Sequence, residues 1–287
     1  MAEAAPDLRF DLVVATVDRT DDLAALLGSL DMQTYRAFRL VVVDQNDDDR
    51  VERALAAHPE LDVLRVRSAR GLSRARNVAL ASLEADLVAF PDDDCVYVPD
   101  LLARVAARFA SDPRLDGLCG RPLDPDGRAT GRWPSAAQRI RPDTVFHTAI
   151  SHTIFLRRPV VERTGAFDER LGLGAGTPWG SGEEIDFLVR ALRDGARLAY
   201  DPSIVITHPA KHVGADELVA LGRRDGRALG YVLAANRYPP RTVLRLLLRP
   251  LLGAVAFGAL LDTTRARFQL ATLAGRLRGL AAGRRRS

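Results

Sequence analysis

Four short apolar runs, interleaved with helix-patterned segments, constrain the fold of this chain more than any other feature. Leu12-Val13-Val14-Ala15, Leu40-Val41-Val42-Val43, a run near Leu61–Val66 and Leu87-Val88-Ala89-Phe90 are the runs in question. Short apolar stretches of this kind mark strands buried on both faces, as in a parallel sheet. Leu23, Leu26, Leu27 and Leu30 recur at helical spacing behind Asp21 and Asp22, which can cap that helix. Val51–Ala57 and Leu72–Leu83 read as further helices. Such alternation predicts an α/β fold with right-handed crossovers and ligands at the carboxyl ends of the strands. Acids stand at two of those ends. Asp44 closes the second strand, and Asp92-Asp93-Asp94 follows the fourth.

Further along, residues 120–142 are rich in Pro, Gly, Arg and Asp and predict a loop over the sheet. Thr153–Leu156 reads as a strand, Pro159–Arg163 as a short helix and Phe167–Gly182 as a Gly-rich loop. A helix over Glu183–Arg193 and a strand or two ending at Thr207 complete the pattern. The expected organisation is a body over 1–210, in halves of about 8–120 and 121–210, and a helical tail over 211–287.

Three carboxylates in a row repel one another, and a hard divalent cation relieves that repulsion. Mg²⁺ or Mn²⁺ takes one or two carboxylates plus phosphate oxygens, which a nucleotide diphosphate offers. The plainer alternative for Asp92-Asp93-Asp94 is a solvated turn or a helix cap before Pro99-Asp100.

The surrounding residues favour the cation. Gly71-Leu72-Ser73-Arg74-Ala75-Arg76-Asn77, the apolar strand and Phe90-Pro91-Asp92-Asp93-Asp94 together resemble the inverting family 2 glycosyltransferases of the GT-A fold. In that family a G-x-x-x-A-R-N helix precedes the strand that carries the D-x-D motif. Val14-Ala15-Thr16-Val17-Asp18-Arg19 resembles the family's opening segment, and Asp44 sits where the family recognises the nucleotide base. Gly165-Ala166-Phe167-Asp168-Glu169 resembles its G-G-F-D-E element, and Gly182-Glu183-Glu184-Ile185-Asp186 its acceptor-side G-E-D-x-D. The likeness runs in order from about Leu12 to His208. There are departures. Val17 and Asp18 replace an aromatic and an Asn, leaving uracil, thymine and guanine all open as the base. Glu184 stands where most members have Asp, and no Q-x-x-R-W motif of processive enzymes follows.

The resemblance implies a GT-A type, mixed but mainly parallel sheet flanked by helices. It implies metal-dependent, inverting transfer of one sugar from a nucleotide-sugar donor to a carbohydrate or lipid-linked acceptor, in surface polysaccharide assembly. Mn²⁺ or Mg²⁺ would be held by Asp94 and His208, with Asp92 on the metal or the ribose. Asp93, Thr16, Asp18 and Gly71 would line the nucleotide pocket. Asp44 would accept a hydrogen bond from a base N–H, and Arg76 would hold Asp44 or the nucleotide. Glu184 is the first choice for the base that takes the acceptor proton, with Glu183 and Asp186 as alternatives. These acids also suit the first turn of a helix, where the dipole favours them. Glu183 lies beside Phe187 and Glu184 beside Leu188, so the two point differently. On the acceptor side stand Asp168 and Trp179, which either stacks on a sugar or anchors its loop. His147, His152 and His212 are weaker candidates than His208.

Charge sets the remaining expectations. From Arg241 onward the chain holds ten Arg and one acid, net +9, so residues 1–240 carry −5 of the overall +4. An acidic body argues against nucleic acid as a partner, whereas a basic tail seeks an anionic membrane surface. Arg245 and Arg249 interrupt the apolar stretch that follows Arg241, and only Pro250–Leu261 is uncharged. Twelve residues reach about 18 Å as a helix against about 30 Å of hydrocarbon, so crossing is not expected. Arg241, Arg245 and Arg249 fall on one face. Leu270, Leu273, Leu277 and Leu280 form a later stripe, with Arg265, Arg267, Arg276 and Arg278 off it. Helices of this kind suit a membrane interface, or packing onto the body or a second subunit. Met1–Phe10 lacks an apolar signal core, and two cysteines, Cys95 and Cys119, make no framework. The expected location is the cytoplasm, peripheral at the inner membrane face. A sugar-phosphate nucleotidyltransferase is disfavoured, because no Gly-rich basic loop lies near Thr16. A non-catalytic membrane-associated nucleotide-binding module of the same fold would have no need of the acids at Gly182–Asp186.

Overall fold

The computed structural model describes residues 8–209 and 213–284, so Lys211, His212 and Arg285–Arg286 lie outside the described residues. The first two-thirds run β1 (Phe10–Thr16), α1 (Asp21–Asp31), β2 (Phe38–Asp44), α2 (Arg50–Ala56), β3 (Val63–Arg67), α3 (Leu72–Leu80) and β4 (Leu87–Ala89). Then come α4 (Leu101–Ser111), β5 (Gly117–Leu123), β6 (Gln138–Arg139), β7 (Ile154–Arg157), α5 (Arg158–Thr164), α6 (Glu183–Arg193) and β8 (Leu198–Thr207). Three helices follow: α7 (Ala215–Ala235), α8 (Pro240–Ala259) and α9 (Thr263–Arg284).

The chain divides into two compact units. The first comprises 1–70, 74–166 and 188–210, and the second 71–73, 167–187 and 211–287. All eight strands belong to the first, in one sheet of order β3-β2-β1-β4-β7-β5-β8-β6. β3, β2, β1 and β4 are mutually parallel, β7 runs antiparallel between β4 and β5, and β6 pairs antiparallel with β8. The sheet is therefore mixed and mainly parallel. Strand order reverses at β1, whose neighbours are β2 on one side and β4 on the other. A crevice at the carboxyl ends of β1 and β4 is the standard ligand position in such sheets.

Phe10, Leu12 and Val14 of β1 and Leu40 and Val42 of β2 pack against Leu23, Leu26, Leu27 and Leu30 of α1. Leu101, Leu102, Val105 and Phe109 of α4 join the same core. Each fully buried side chain of this size contributes about 1.5–3 kcal/mol. Asp11 is buried on β1, yet it is fully engaged. Its carboxylate accepts from Arg39 at 2.9 Å and from the backbone N–H groups of Glu84 and Ala85 at 2.7 and 2.9 Å. α3 stops at Leu80 rather than at Leu83, before the chain reaches those last two bonds. Asp21 and Asp22 lie inside the first turn of α1, and Thr20 is the N-cap residue. The expected loop over 120–142 is shorter, because β5 runs to Leu123 and Gln138–Arg139 pairs with β8.

In the second unit α7 and α9 lie backbone to backbone. A Cβ on Gly230 would stand 2.1 Å from the Arg276 carbonyl oxygen, and one on Gly279 2.1 Å from that of Arg227. Only glycine permits that approach. The Gly275-Gly279-Gly283 row thus lies on the packed face of α9; of the leucine stripe Leu280 is buried, while Leu270 and Leu277 are left about half exposed. Thr242, Leu246, Pro250 and Ala254, spaced four apart on α8, form its buried stripe. Pro250 has no N–H to give the carbonyl four residues earlier. That carbonyl, of Leu246, accepts instead from Arg276 of α9. Arg276 therefore lies inward, not on an outer border of the helix.

Candidate active site

The site of the first unit is built where β1 and β4 end side by side. After β1 the chain turns through Asp18, whose φ of 58° is a left-handed conformation that Asp tolerates better than most residues. Arg19 then reaches the loop that follows β4, its Nη1 2.8 Å from Asp93 and 2.5 Å from Asp94. The hydroxyl-bearing Thr16 is buried at the end of β1. Two carboxylates of the triplet thus share one guanidinium.

The other side of the triplet meets histidines. Val96 and Thr207 form a two-way backbone bridge, which brings the next residue, His208, against the loop. His208 Nε2 lies 3.0 Å from Asp94 Oδ1 and 3.9 Å from Asp92 Oδ2. β7 starts beside the end of β4, with Phe155 opposite Ala89, so the short 3₁₀ turn Ser151–Thr153 lands at Asp92. His152 Nδ1 is 3.1 Å from Asp92 Oδ2, and its ring stacks on that of His208. Arg76 of α3, buried under Phe90, donates to Ser151 Oγ at 2.7 Å and stands 3.6 Å from Asp92 Oδ1. Ser151 in turn donates to Asp92 Oδ1 at 3.2 Å.

Asp92, His152 and His208 can each turn one ligand atom toward a common point, all within 4.8 Å of one another. The fit to a cation rests on a further observation. His152 Nε2 is buried and has no hydrogen-bond partner. A buried orphan imidazole nitrogen is costly unless something fills it. Carboxylate oxygens with two imidazoles suit Mn²⁺ better than Mg²⁺, which prefers oxygen and water. A lone His in a 3₁₀ turn carries no pattern, which is why the sequence points to His152 less than to His208.

Local charge separates the three carboxyls. Burial drives Asp93 up to about 6, against the pull of Arg19 and with help from its neighbours Asp94 and Asp92. For Asp94, burial acts upward but is outweighed by the hydrogen bond and charge of His208 and by Arg19, which hold it well below the usual range. Asp92 is likewise held low, burial losing to His152, Arg76 and His208.

At the end of β2, Asp44 is fully buried and well supplied. Its Oδ1 accepts from the backbone and side-chain nitrogens of Asn46, both at 2.9 Å. Its Oδ2 accepts from Arg65 at 2.8 and 3.0 Å, with Arg67 at 3.3 Å. Arg65 and Arg67, not Arg76, are the arginines found against Asp44. Asn46 Oδ1 also accepts from the Asp18 N–H at 2.7 Å, which ties the ends of β1 and β2 together. The Asp18 carboxylate pairs with Arg70 at 2.6 Å.

The remaining expected residues belong to the second unit. Gly71 adopts a φ of 134°, open to glycine, just before α3. Of the acids opening α6, Glu183 is buried, and a Cβ on Gly172 would stand 3.2 Å from its Oε2. Asp186 accepts from Asn236 Nδ2 of α7 at 2.7 Å. Glu184 remains partly exposed. Trp179 stacks on Tyr231 of α7 with centroids 4.4 Å apart, the arrangement of a loop anchor. Asp168 grips Arg170 with both oxygens, at 2.8 and 2.7 Å.

Comparison with known proteins gives the family and the fold. The family described as Glycosyl transferase family 2 matches residues 11–166. The chain is 28% identical over 211 residues to the Pre-mycofactocin glycosyltransferase of Mycobacterium tuberculosis, a match covering 69% of this chain and 42% of that protein. It therefore spans less than half the length of that relative. Among solved structures, a mannosyltransferase from Pyrobaculum calidifontis (PcManGT, in complex with GDP-Man and Mn²⁺) superposes with a TM-score of 0.64 at 19% identity. That superposition covers 96% of this chain and 89% of the other. Staphylococcus aureus TarS 1-349 in complex with UDP-GlcNAc gives 0.63 at 15% identity, covering 96% and 91%.

Proposed function

The chain belongs to glycosyl transferase family 2 and has the GT-A fold, and from that premise we propose that it is a metal-dependent inverting enzyme. It moves one sugar from a nucleotide-sugar donor to a hydroxyl of a carbohydrate or lipid-linked acceptor, in surface polysaccharide assembly. The C-terminal helices keep it at the cytoplasmic face of an anionic membrane. The observation that carries the reading is the meeting of Asp92, His152 and His208 at the end of β4, beside the Asp93–Asp94–Arg19 cluster. A cation held there supplies Lewis-acid neutralisation of the departing diphosphate.

The chain's own residues do the rest. Arg76 and Ser151 fix the Asp92 carboxylate, so its outward oxygen keeps one direction. Asp44, whose oxygens are taken up by Asn46 and Arg65, would have to exchange one of these donors to accept from a base N–H. The acceptor oxygen bonds to the anomeric carbon from the face opposite the diphosphate, while the bond from that carbon to the phosphate oxygen breaks. The acceptor's hydroxyl proton passes to Glu184. Among the acids that open α6, Glu184 is partly exposed whereas Glu183 and Asp186 are buried, which supports it as the base. General base action of this kind is worth about 10²–10⁴-fold.

The nucleotide is left open by the two solved neighbours, one holding GDP-Man and the other UDP-GlcNAc at nearly equal similarity. A thermal-shift screen of UDP-, dTDP- and GDP-sugars with Mn²⁺, followed by transfer assays on the best donor, tests the proposal. Glu184→Gln should keep donor binding and lose turnover. Nucleotide binding with no turnover on any donor would instead identify a non-catalytic module.

A further inference from the structure

On α8 the face turned away from Thr242, Leu246, Pro250 and Ala254 is apolar and uncovered. Leu244, Leu248, Leu251, Leu252 and Val255 are 41–65% exposed. Arg241, Arg245 and Arg249 run beside the Leu244-Leu248-Leu252 row, and the two rows line a groove of about 370 Å³. Neither Arg241 nor Arg249 has a carboxylate partner among the described residues, and neither α8 nor α9 contains a single acid.

We infer that this face of α8 is a docking surface for anionic phospholipid headgroups, with the helix lying in the plane of the bilayer surface. The inference rests on the membrane reading above and assigns it to one helix face. Charge complementarity selects the occupant. A second copy docking through the same patch would bring three arginines against three arginines, with no acid to relieve them. Leucines beside arginines instead match an interface, where apolar side chains enter the acyl boundary and guanidinium groups reach phosphates. By length and composition Pro240–Ala259 could also cross a membrane. Its arginines oppose that, since Arg241 to Arg249 spans about 12 Å and would sink charge into hydrocarbon.

Co-sedimentation of the full chain with phosphatidylcholine vesicles, with and without phosphatidylglycerol, tests this. The wild type should bind the phosphatidylglycerol vesicles and weaken in high salt. The triple variant Arg241→Gln, Arg245→Gln, Arg249→Gln should lose about a hundredfold in partitioning. Leu248→Asn with Leu252→Asn should also lose binding, while Leu277→Asn with Arg278→Gln on α9 should bind like wild type. Circular dichroism melting identifies any variant that has unfolded, and the leucine and arginine sets provide independent readings. If the wild type binds no vesicle, the membrane reading itself fails. If it binds but the α8 variants bind equally, or only the α9 variant loses binding, the assignment to α8 fails alone. Equal binding to vesicles without phosphatidylglycerol, or a concentration-dependent dimer broken by the leucine variant, would also overturn it.

Discussion

His152 and His208 stack face to face, with centroids 4.4 Å apart and planes 9° from parallel. They flank one carboxylate oxygen, Asp92 Oδ2, at 3.1 and 3.9 Å. Two parallel imidazoles thus meet one carboxylate, and His152 adds a buried nitrogen without a hydrogen-bond partner, an arrangement that could hold a cation.

Cation binding should therefore depend on His152 as well as on the acidic triplet. Titration of the metal-free protein with Mn²⁺, followed by electron paramagnetic resonance, should show His152→Ala weakening the site by about tenfold or more. Mn²⁺ should bind more tightly than Mg²⁺. Equal affinity in wild type and variant would remove His152 from the ligand set.

Arg19 neutralises Asp93 and Asp94 in the absence of a cation, so an incoming ion competes with it. Arg19→Ala should raise Mn²⁺ affinity about fivefold in the absence of donor, corresponding to about 1 kcal/mol for a partly exposed ion pair. The same variant should melt lower than wild type when metal-free. A fall in Mn²⁺ affinity would instead mean that Arg19 helps to hold the site open for the ion.

Asp93 supplies a pH test. Its carboxyl titrates at about 6 when folded and metal-free, against about 3.9 when unfolded. The folded state then holds its proton more tightly than the unfolded state does. The associated stability is full below about pH 4 and is lost as pH rises through about 6. Asp93→Asn cannot ionise and escapes that loss. Denaturation with chelator present should find it more stable than wild type by about 3 kcal/mol at pH 8 and nearly equal near pH 4. A variant less stable than wild type at pH 8 would contradict this.

Two glycines make a paired test of the helical packing. A Cβ at Gly279 meets backbone atoms of α7 at 2.1 and 2.7 Å, whereas one at Gly28 of α1 meets nothing within 4 Å. Gly279→Ala should cost about 2–4 kcal/mol by overpacking. Gly28→Ala should gain about 0.5–1 kcal/mol from helix propensity. Thermal melts of both variants read the difference.

Much of the first unit was legible because buried strands and amphipathic helices leave periodic marks. Leu40–Val43 with Asp44, and Leu87–Ala89 with the triplet, mark two strands and the acids at their carboxyl ends. His208 was legible only through a family likeness. The placement of His152 against Asp92 was not, because it comes from β7 running antiparallel beside β4, a pairing no local pattern encodes. Arg65 and Arg67 at Asp44 arise in the same way, from the register of β3 on β2. β5 escaped notice because Gly117, Gly120 and Pro122 are poor strand residues. In the second unit the rows Gly222-Gly226-Gly230 and Gly275-Gly279-Gly283 mark the close approach of α7 and α9, whereas a leucine stripe marks only an apolar face. That Arg276 serves Leu246 follows from Pro250, and needs the packing of α9 on α8 to be seen.

The central claim is that Asp92, His152 and His208 hold a cation on which donor breakdown depends. Its most direct test is the rate of nucleotide release from the preferred nucleotide-sugar, measured with chelator, with Mn²⁺, and with Mn²⁺ in Asp92→Ala. Chelation should abolish release in the wild type and Mn²⁺ should restore it, while Asp92→Ala stays below about a hundredth of the restored rate. Release at the Mn²⁺-restored rate in the chelated wild type or in Asp92→Ala would contradict the account.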